Sequence, residues 1–350
     1  MSRLNANSAN LRSRPNRGTF LLATRDQPGL VAQVSSFFYD RKINIVEAVS
    51  CSDAHSERGP RFFLRMSVDL ADFGAGAEPA AYRLVLEKDF DGMASRLHAT
   101  WSVGYSDPLA RVAILVTRED SCLYDLVLRQ RQGELPCDIP LIVSNHDTLG
   151  DVAERFGIPY HALPVTDAAR TDQERQILRL LVQHRIDLVV LARYMQVMSE
   201  DFLIQAPPVI NIHHGFLPAF QGARPYHQAY VRGVKLVGAT AHYATRDLDQ
   251  GPIIDQDVVR VDHRMGPGDL ARVGRDVERV VLARAVAAHL ERRVIVDGLR
   301  TIVLLSLIHI CPSRGRWPLQ RRSPCSGLSA LASVIRGDVG RSVDLSLIHI

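Results

Sequence analysis

Between residues 17 and 304 the apolar positions fall into short runs whose period switches between two and about 3.6. Gly18–Thr24 (GTFLLAT) reads as a strand. The turn Asp26-Gln27-Pro28-Gly29-Leu30 leads into residues 31–40, where Val31, Val34, Phe37 and Phe38 recur at helical spacing. Residues 43–50 and 61–68 are further strand patterns, 78–97 is helical and 100–105 is a fourth strand. Beyond Ser106-Asp107-Pro108 strands alternate with helices. The strands fall at 111–117, 141–144, 187–192, 209–212 and 236–242. The helices fall at 122–131, 149–156 and 173–184, with another starting after Pro225. Residues 293–304 form two short β-rich runs around Asp297-Gly298, a hairpin signal.

These patterns predict two domains. The order βαββαβ over 17–104 is that of a ferredoxin-like α+β sandwich. The alternation over 111–304 predicts an α/β domain with a doubly wound, mostly parallel sheet and right-handed crossovers. A linker at 105–110 joins them, and residues 1–16 read as a disordered tail. Open sheets of this kind bind ligands at the carboxyl ends of their strands. Asn211, His213 and the segment Ala192–Met195 lie at such ends.

Composition narrows the picture. At 350 residues the chain has room for two domains. No apolar run reaches the ~18–20 residues of a membrane span. The basic N-terminus lacks the apolar stretch of a secretory signal. The cysteines (51, 122, 137, 311 and 325) are odd in number and form no Cys-x-x-Cys pair, which points to reduced thiols and a cytoplasmic protein. The net charge of +4 is confined to residues 305–350, with six arginines and two aspartates. Basic and acidic residues are equal in number over 1–304, so the body has no excess with which to neutralise nucleic-acid phosphates. The hexapeptide LSLIHI occurs at 305–310 and again at 345–350, around a Ser-, Pro- and Arg-rich stretch. We expect the native protein to end near Leu304 and the remainder to be translated extraneous DNA or a frameshift; a genuine basic tail is the alternative.

The candidate chemistry lies in VINIHHGFLPAF (209–220) and LDQGPIIDQDV (248–258). Asn211 and His213, two apart on a strand, point to one side, and Asp249 follows. An amide donor, an imidazole and a carboxylate are what attack on a carbonyl requires. Taken alone, Asn-x-His at a strand end is more often a turn or a satisfied core histidine. His214 suggests a metal, but neighbours on extended chain point apart and no third ligand has suitable spacing. His242 reads equally as a structural hydrogen-bonding group and as support for the site. His227 reads as an outer or surface residue, and Met195 as core before ligand. After the strand at 111–117 the chain runs Arg118-Glu119-Asp120-Ser121-Cys122-Leu123, without the glycines that bring backbone amides onto a phosphate. This argues against a dinucleotide or a phosphorylated second substrate.

The motif region resembles the folate-dependent formyltransferase family. The shared pattern is Asn211-x-His213, then Leu217-Pro218, then Asp249-x-Gly251-Pro252. LARYMQVMS (191–199) and GVKLVGATAHY (233–243) extend the match to the family's hydrolytic branch. The front unit, through its Asp-x-Pro-Gly-Leu turn, resembles an ACT domain, and that branch carries both domains in this order. The resemblance implies a formyltransferase-like Rossmann variant that hydrolyses 10-formyltetrahydrofolate to formate and tetrahydrofolate, supplying formate for purine synthesis and balancing one-carbon pools. In that reading Asn211 donates to the formyl oxygen, His213 is a second donor and proton carrier, and Asp249 orients the imidazole or the water. His242 and Gly215 support them. The folate contacts implied are Leu191, Arg193, Tyr194, Met195, Thr245 and Asp247, mainly through backbone. Folate is the substrate, and no cofactor or metal is implied. The ACT-like turn, with Asp26, Pro28, Gly29 and Leu30, implies an amino-acid effector such as glycine or methionine and a homo-oligomer. Two positions depart from the family: Gly215 stands where serine is expected and Ser121 where histidine is expected. Transfer to another acceptor and a non-catalytic folate or amino-acid sensor are the alternatives.

Overall fold

Between the first sheet and its helices, Phe20, Phe38 and Phe90 are almost fully buried, and their rings pack 4.6–5.9 Å apart. The computed structural model describes residues 16–73, 78–165, 170–219 and 225–305. The N-terminal tail, apart from Asn16, and the extension beyond Leu305 lie outside the described residues. Strands β1 (Arg17–Arg25), β2 (Asn44–Asp53), β3 (Arg61–Asp69) and β4 (Thr100–Tyr105) form an antiparallel sheet in the order β2-β3-β1-β4. Helices α1 (Leu30–Asp40) and α2 (Pro79–Arg96) supply the other apolar layer. Leu30, Val34, Phe37 and Phe38 are the buried stripe of α1. This is the ferredoxin-like arrangement expected. Gly29, at φ +86°, lets the chain turn into α1 in a backbone region that costs other residues energy.

The second sheet has seven strands in the order β11-β10-β9-β8-β5-β6-β7. They are β5 (Ala110–Val116), β6 (Cys137–Ser144), β7 (Tyr160–Ala162), β8 (Leu188–Leu191), β9 (Val209–His213), β10 (Leu236–Tyr243) and β11 (Ile253–Arg260). The pairs from β7 to β9 are parallel, whereas β10 and β11 run antiparallel. The mostly parallel, doubly wound sheet is therefore present. Its helices are α3 (Ser121–Gln132), α4 (Gly150–Phe156), α5 (Arg170–Gln183), α6 (Glu200–Gln205), α7 (Pro225–Val231) and α8 (Pro267–Leu290). Four of these elements are absent from the sequence reading: β7, α6, β11 and α8. The first two are too short to establish a period. In α6 the cap is decisive instead, with the Ser199 Oγ accepting from the Phe202 N–H.

The last hairpin, β12 (Val294–Asp297) and β13 (Arg300–Val303), does not pack on the second sheet alone. Ile295 and Leu304 join Leu21, Ala23 and Phe63 in one apolar cluster on the first sheet. The Arg300 guanidinium pairs with Asp53, and Arg61 lies 3.5 Å from Asp297. Thr301 Oγ1 donates to the Ile253 carbonyl at 2.5 Å. The hairpin thus contacts both domains. Among the described residues no helix is long and apolar enough to cross a membrane.

Candidate active site

The register between β9 and β10 sets the site. It pairs Asn211 with His242 and His213 with Thr240, and directly opposed residues share a face of the sheet. Thr240 anchors the loop that follows β9. Its Oγ1 accepts the Leu217 N–H at 3.0 Å and donates to the Gly215 carbonyl at 2.9 Å. Gln256, from β11, donates to Thr240 Oγ1 and to the Leu217 carbonyl. The buried Gly215 therefore serves through its backbone carbonyl.

Asp249 arrives from the loop between β10 and β11. Its own φ is +58°, an uncommon backbone state of the kind held by surrounding structure. The loop lies against β10 at Gly251, where a Cβ would come 1.7 Å from the Tyr243 carbonyl oxygen. The Tyr243 N–H donates to the Pro252 carbonyl at 3.0 Å. So held, Asp249 places one carboxylate oxygen 3.2 Å from His213 Nδ1 and the other 3.8 Å from His242 Nε2. All three side chains are at most 7% exposed.

The state of His242 follows from its partners. Nδ1 lies 3.0 Å from the Tyr243 carbonyl oxygen, which can only accept, so Nδ1 carries a proton. Burial lowers the pKa of the ring, which favours the neutral form with Nε2 as an acceptor. The Asn211 Nδ2 amide, 3.2 Å away, donates to it. His242 therefore both makes a structural hydrogen bond and orients the Asn211 amide.

A second polar cluster lies beside this one. The His214 ring centroid is 5.5 Å from that of His213 and 6.0 Å from that of Tyr226. The Tyr226 hydroxyl donates to Glu278 at 2.5 Å. Glu278, fully buried on α8, also meets the Arg193 guanidinium at 3.2 Å. Burial raises the Glu278 pKa, and Arg193 opposes the rise. Burial, Arg193 and His213 together lower the His214 pKa to about 3. Gly274 leaves room for the Tyr226 ring, since a Cβ there would come 2.1 Å from it. This cluster was missed in the sequence. The signal was a lone glutamate on the stripe Leu270, Gly274, Glu278, Leu282, where every other member is apolar or small.

The remaining predicted contacts divide. Leu191 and Tyr194 are buried in the apolar core, and Arg193, with φ +64°, turns its side chain to Glu278. The loop thus offers a ligand its backbone and Met195. Met195 is 49% exposed, which corrects the reading of it as core. Its N–H donates to Thr117 Oγ1 at 2.9 Å, tying the loop to the end of β5. Beside it, Asn145, His146 and Gln196 line a cavity of about 550 Å³ at the ends of β6 and β7. Thr245 and Asp247 are exposed, and Thr245 Oγ1 donates to the Asp247 carbonyl. His227 is exposed. Ser121 opens α3, and burial pushes the thiol of its neighbour Cys122 up to about 12, an inert cysteine. In the first domain Asp26, Pro28 and Gly29 are at least partly exposed at the start of α1, and Leu30 is buried beneath them.

The family described as formyl transferase matches residues 110–286. A Synechocystis protein named formyltetrahydrofolate deformylase is 50% identical over 81% of this chain and 97% of its own length. A Bacillus subtilis protein of the same name is 44% identical over 82% and 93%. The crystal structure of a formyltetrahydrofolate deformylase from Pseudomonas syringae superposes with a TM-score of 0.77 at 41% identity, covering 85% of this chain and 97% of that one.

Proposed function

The chain belongs to the formyltetrahydrofolate deformylases and hydrolyses 10-formyltetrahydrofolate to formate and tetrahydrofolate, and we propose that Asn211, His213 and Asp249 carry out that reaction. The observation behind this assignment is the buried cluster in which His213 Nδ1 meets Asp249 while the Asn211 amide is fixed by neutral His242.

In the proposed mechanism, water attacks the formyl carbon and the carbonyl π pair moves onto oxygen. One Asn211 N–H is committed to His242; the amide has a second, which stabilises the oxyanion. Asp249 accepts from His213 Nδ1–H, leaving Nε2 to take a proton from the attacking water and stabilising the imidazolium that forms. That proton passes to N10 as the C–N bond breaks. Formate leaves, the second water proton goes to solvent, and tetrahydrofolate remains. Water is the acceptor because the turn after β5 lacks a glycine-rich phosphate cradle. The backbone of residues 191–195 and of the loop 244–249 holds the pterin, with Met195 covering it. The Asp26–Leu30 turn takes an amino-acid effector, glycine or methionine, in a cytoplasmic homo-oligomer.

The assignment is tested by formate release from 10-formyltetrahydrofolate. Asp249→Asn keeps the shape and removes the charge, and turnover falls at least a hundredfold, within the range of losing one strong transition-state interaction. Near-normal turnover in that protein would remove Asp249 from the mechanism.

A further inference from the structure

A cavity of about 580 Å³ lies between the first sheet and the end of α8, within the size range of small-molecule sites. Arg17, Thr19, Ser67, Tyr105, His289 and Arg292 are among its walls. Its other charged groups are engaged. Arg65 pairs with Glu47 and donates to the carbonyls of Glu291 and Arg292. Arg83 donates to the Asp107 carbonyl and to Asn16. Asp187 accepts the Arg111 N–H, and Glu291 pairs with Arg293. The guanidinium groups of Arg17 and Arg292 make no hydrogen bond or ion pair with the described residues. Gly104 lets Arg292 lie flat against β4, since a Cβ there would come 2.3 Å from its Nε.

We propose that this interdomain cavity binds a small anion, a carboxylate or phosphate held by Arg292 and Arg17, and that the anion acts on the catalytic loop through His289 and Tyr243. Guanidinium groups are donor-only forks matched to such anions, and the Thr19 and Ser67 hydroxyls on the same walls, 3.1 Å apart, leave one proton to donate to a ligand, while the Tyr105 hydroxyl is committed to Glu87. The connection to the site is continuous. His289 Nδ1 lies 2.7 Å from the Tyr243 hydroxyl. The Tyr243 carbonyl accepts from His242 Nδ1, and its N–H binds Pro252 in the Asp249 loop. One residue therefore joins the cavity wall to both His242 and the Asp249 loop. Arg65, reaching from β3 to the carbonyls of the Glu291–Arg292 turn, joins the same wall to the first domain.

The coupling rests on the proposed hydrolysis at Asn211, His213 and Asp249; the binding does not. The test is isothermal titration of the full chain with inorganic phosphate, sulfate and acetate at constant ionic strength, followed by formate-release assays with each. At least one of the three binds saturably at one per chain and changes kcat or KM. Arg292→Gln weakens that binding at least tenfold, about 1.4 kcal/mol, with turnover in the absence of anion within twofold of the parent; Arg292→Lys retains part of it. Tyr243→Phe binds the anion but its turnover no longer responds. Absence of saturable binding by all three, or undiminished binding by Arg292→Gln, overturns the site. Binding without any change in turnover overturns the coupling. A chain that binds anion but releases no formate contradicts the catalytic reading and leaves the site standing.

Discussion

Replacing Asn211 by alanine separates the proposed catalytic geometry from a structural role. The amide has two functions in this site. One N–H fills the Nε2 acceptor of neutral His242 at 3.2 Å. The other stabilises the oxyanion. Loss of a single oxyanion donor removes about 2.7–4 kcal/mol of transition-state stabilisation, which lowers kcat about 10²–10³-fold. Because the oxyanion is absent from the bound substrate and develops only on attack, KM for the folate stays within about threefold. The substitution also leaves the His242 acceptor unsatisfied in a 2%-exposed ring, which costs about 1–3 kcal/mol of stability. For a chain of this size that is a fall in Tm of a few degrees. Steady-state kinetics from formate release, with a melting curve on the same preparation, read both effects. A kcat within threefold of the parent, or a loss carried wholly by KM, would refute the oxyanion assignment.

Two further outcomes follow from the same geometry. At Gly251 an added methyl meets the backbone carbonyl of Tyr243, which cannot rotate away. Gly251→Ala therefore displaces the loop carrying Asp249 and lowers kcat about a hundredfold; unchanged kinetics would show that the loop has room to spare. Three buried histidines make stability pH-dependent, His214, His242 and His289, and the first and last are shifted furthest. Burial, and then Arg193, lowers the His214 pKa to about 3, and burial, and then Arg292, lowers that of His289 to about 4. The unfolded chain titrates near 6.5 and so takes up these protons first as pH falls. The stabilisation is complete above about pH 6.5 and is lost as pH falls towards the folded values. Each of His214 and His289 contributes about 1.4 kcal/mol of loss by pH 5.5. Urea unfolding at pH 8 and pH 5.5 measures the sum, and replacing His289 by Gln flattens the dependence; an unchanged slope in that variant contradicts its buried neutral state.

How far the sequence reveals the molecule depends on whether the deciding interaction is local. The short apolar runs in GTFLLAT and RFFLRMSV place β1 and β3, the two central strands of the first sheet, and nearly every position in both is buried on both faces. Asn211 and His213 are legible as a pair because two residues apart on a strand is a local relation. The role of His242 is not, because it depends on the register between β9 and β10. Glu278 is 65 residues from His213 along the chain, and only the packing of α8 brings it to Arg193 and Tyr226. Met195 carries a core-like side chain, yet the chain turns outward at Arg193 with positive φ and leaves it exposed. The hairpin of β12 and β13 is readable as a hairpin from Asp297-Gly298, with Gly298 at φ +69°. Its contact with the first domain depends on Ile295 and Leu304 meeting Phe63, which no local pattern encodes.

Hydrolysis in ¹⁸O-labelled water tests most directly the claim that water is the acceptor at this site. A single turnover of 10-formyltetrahydrofolate by the purified chain yields tetrahydrofolate and an equal amount of formate carrying one ¹⁸O atom, and Asp249→Asn suppresses both products together. Formate without the label, or tetrahydrofolate formed without formate, would contradict attack by water and with it the roles given to Asn211, His213 and Asp249.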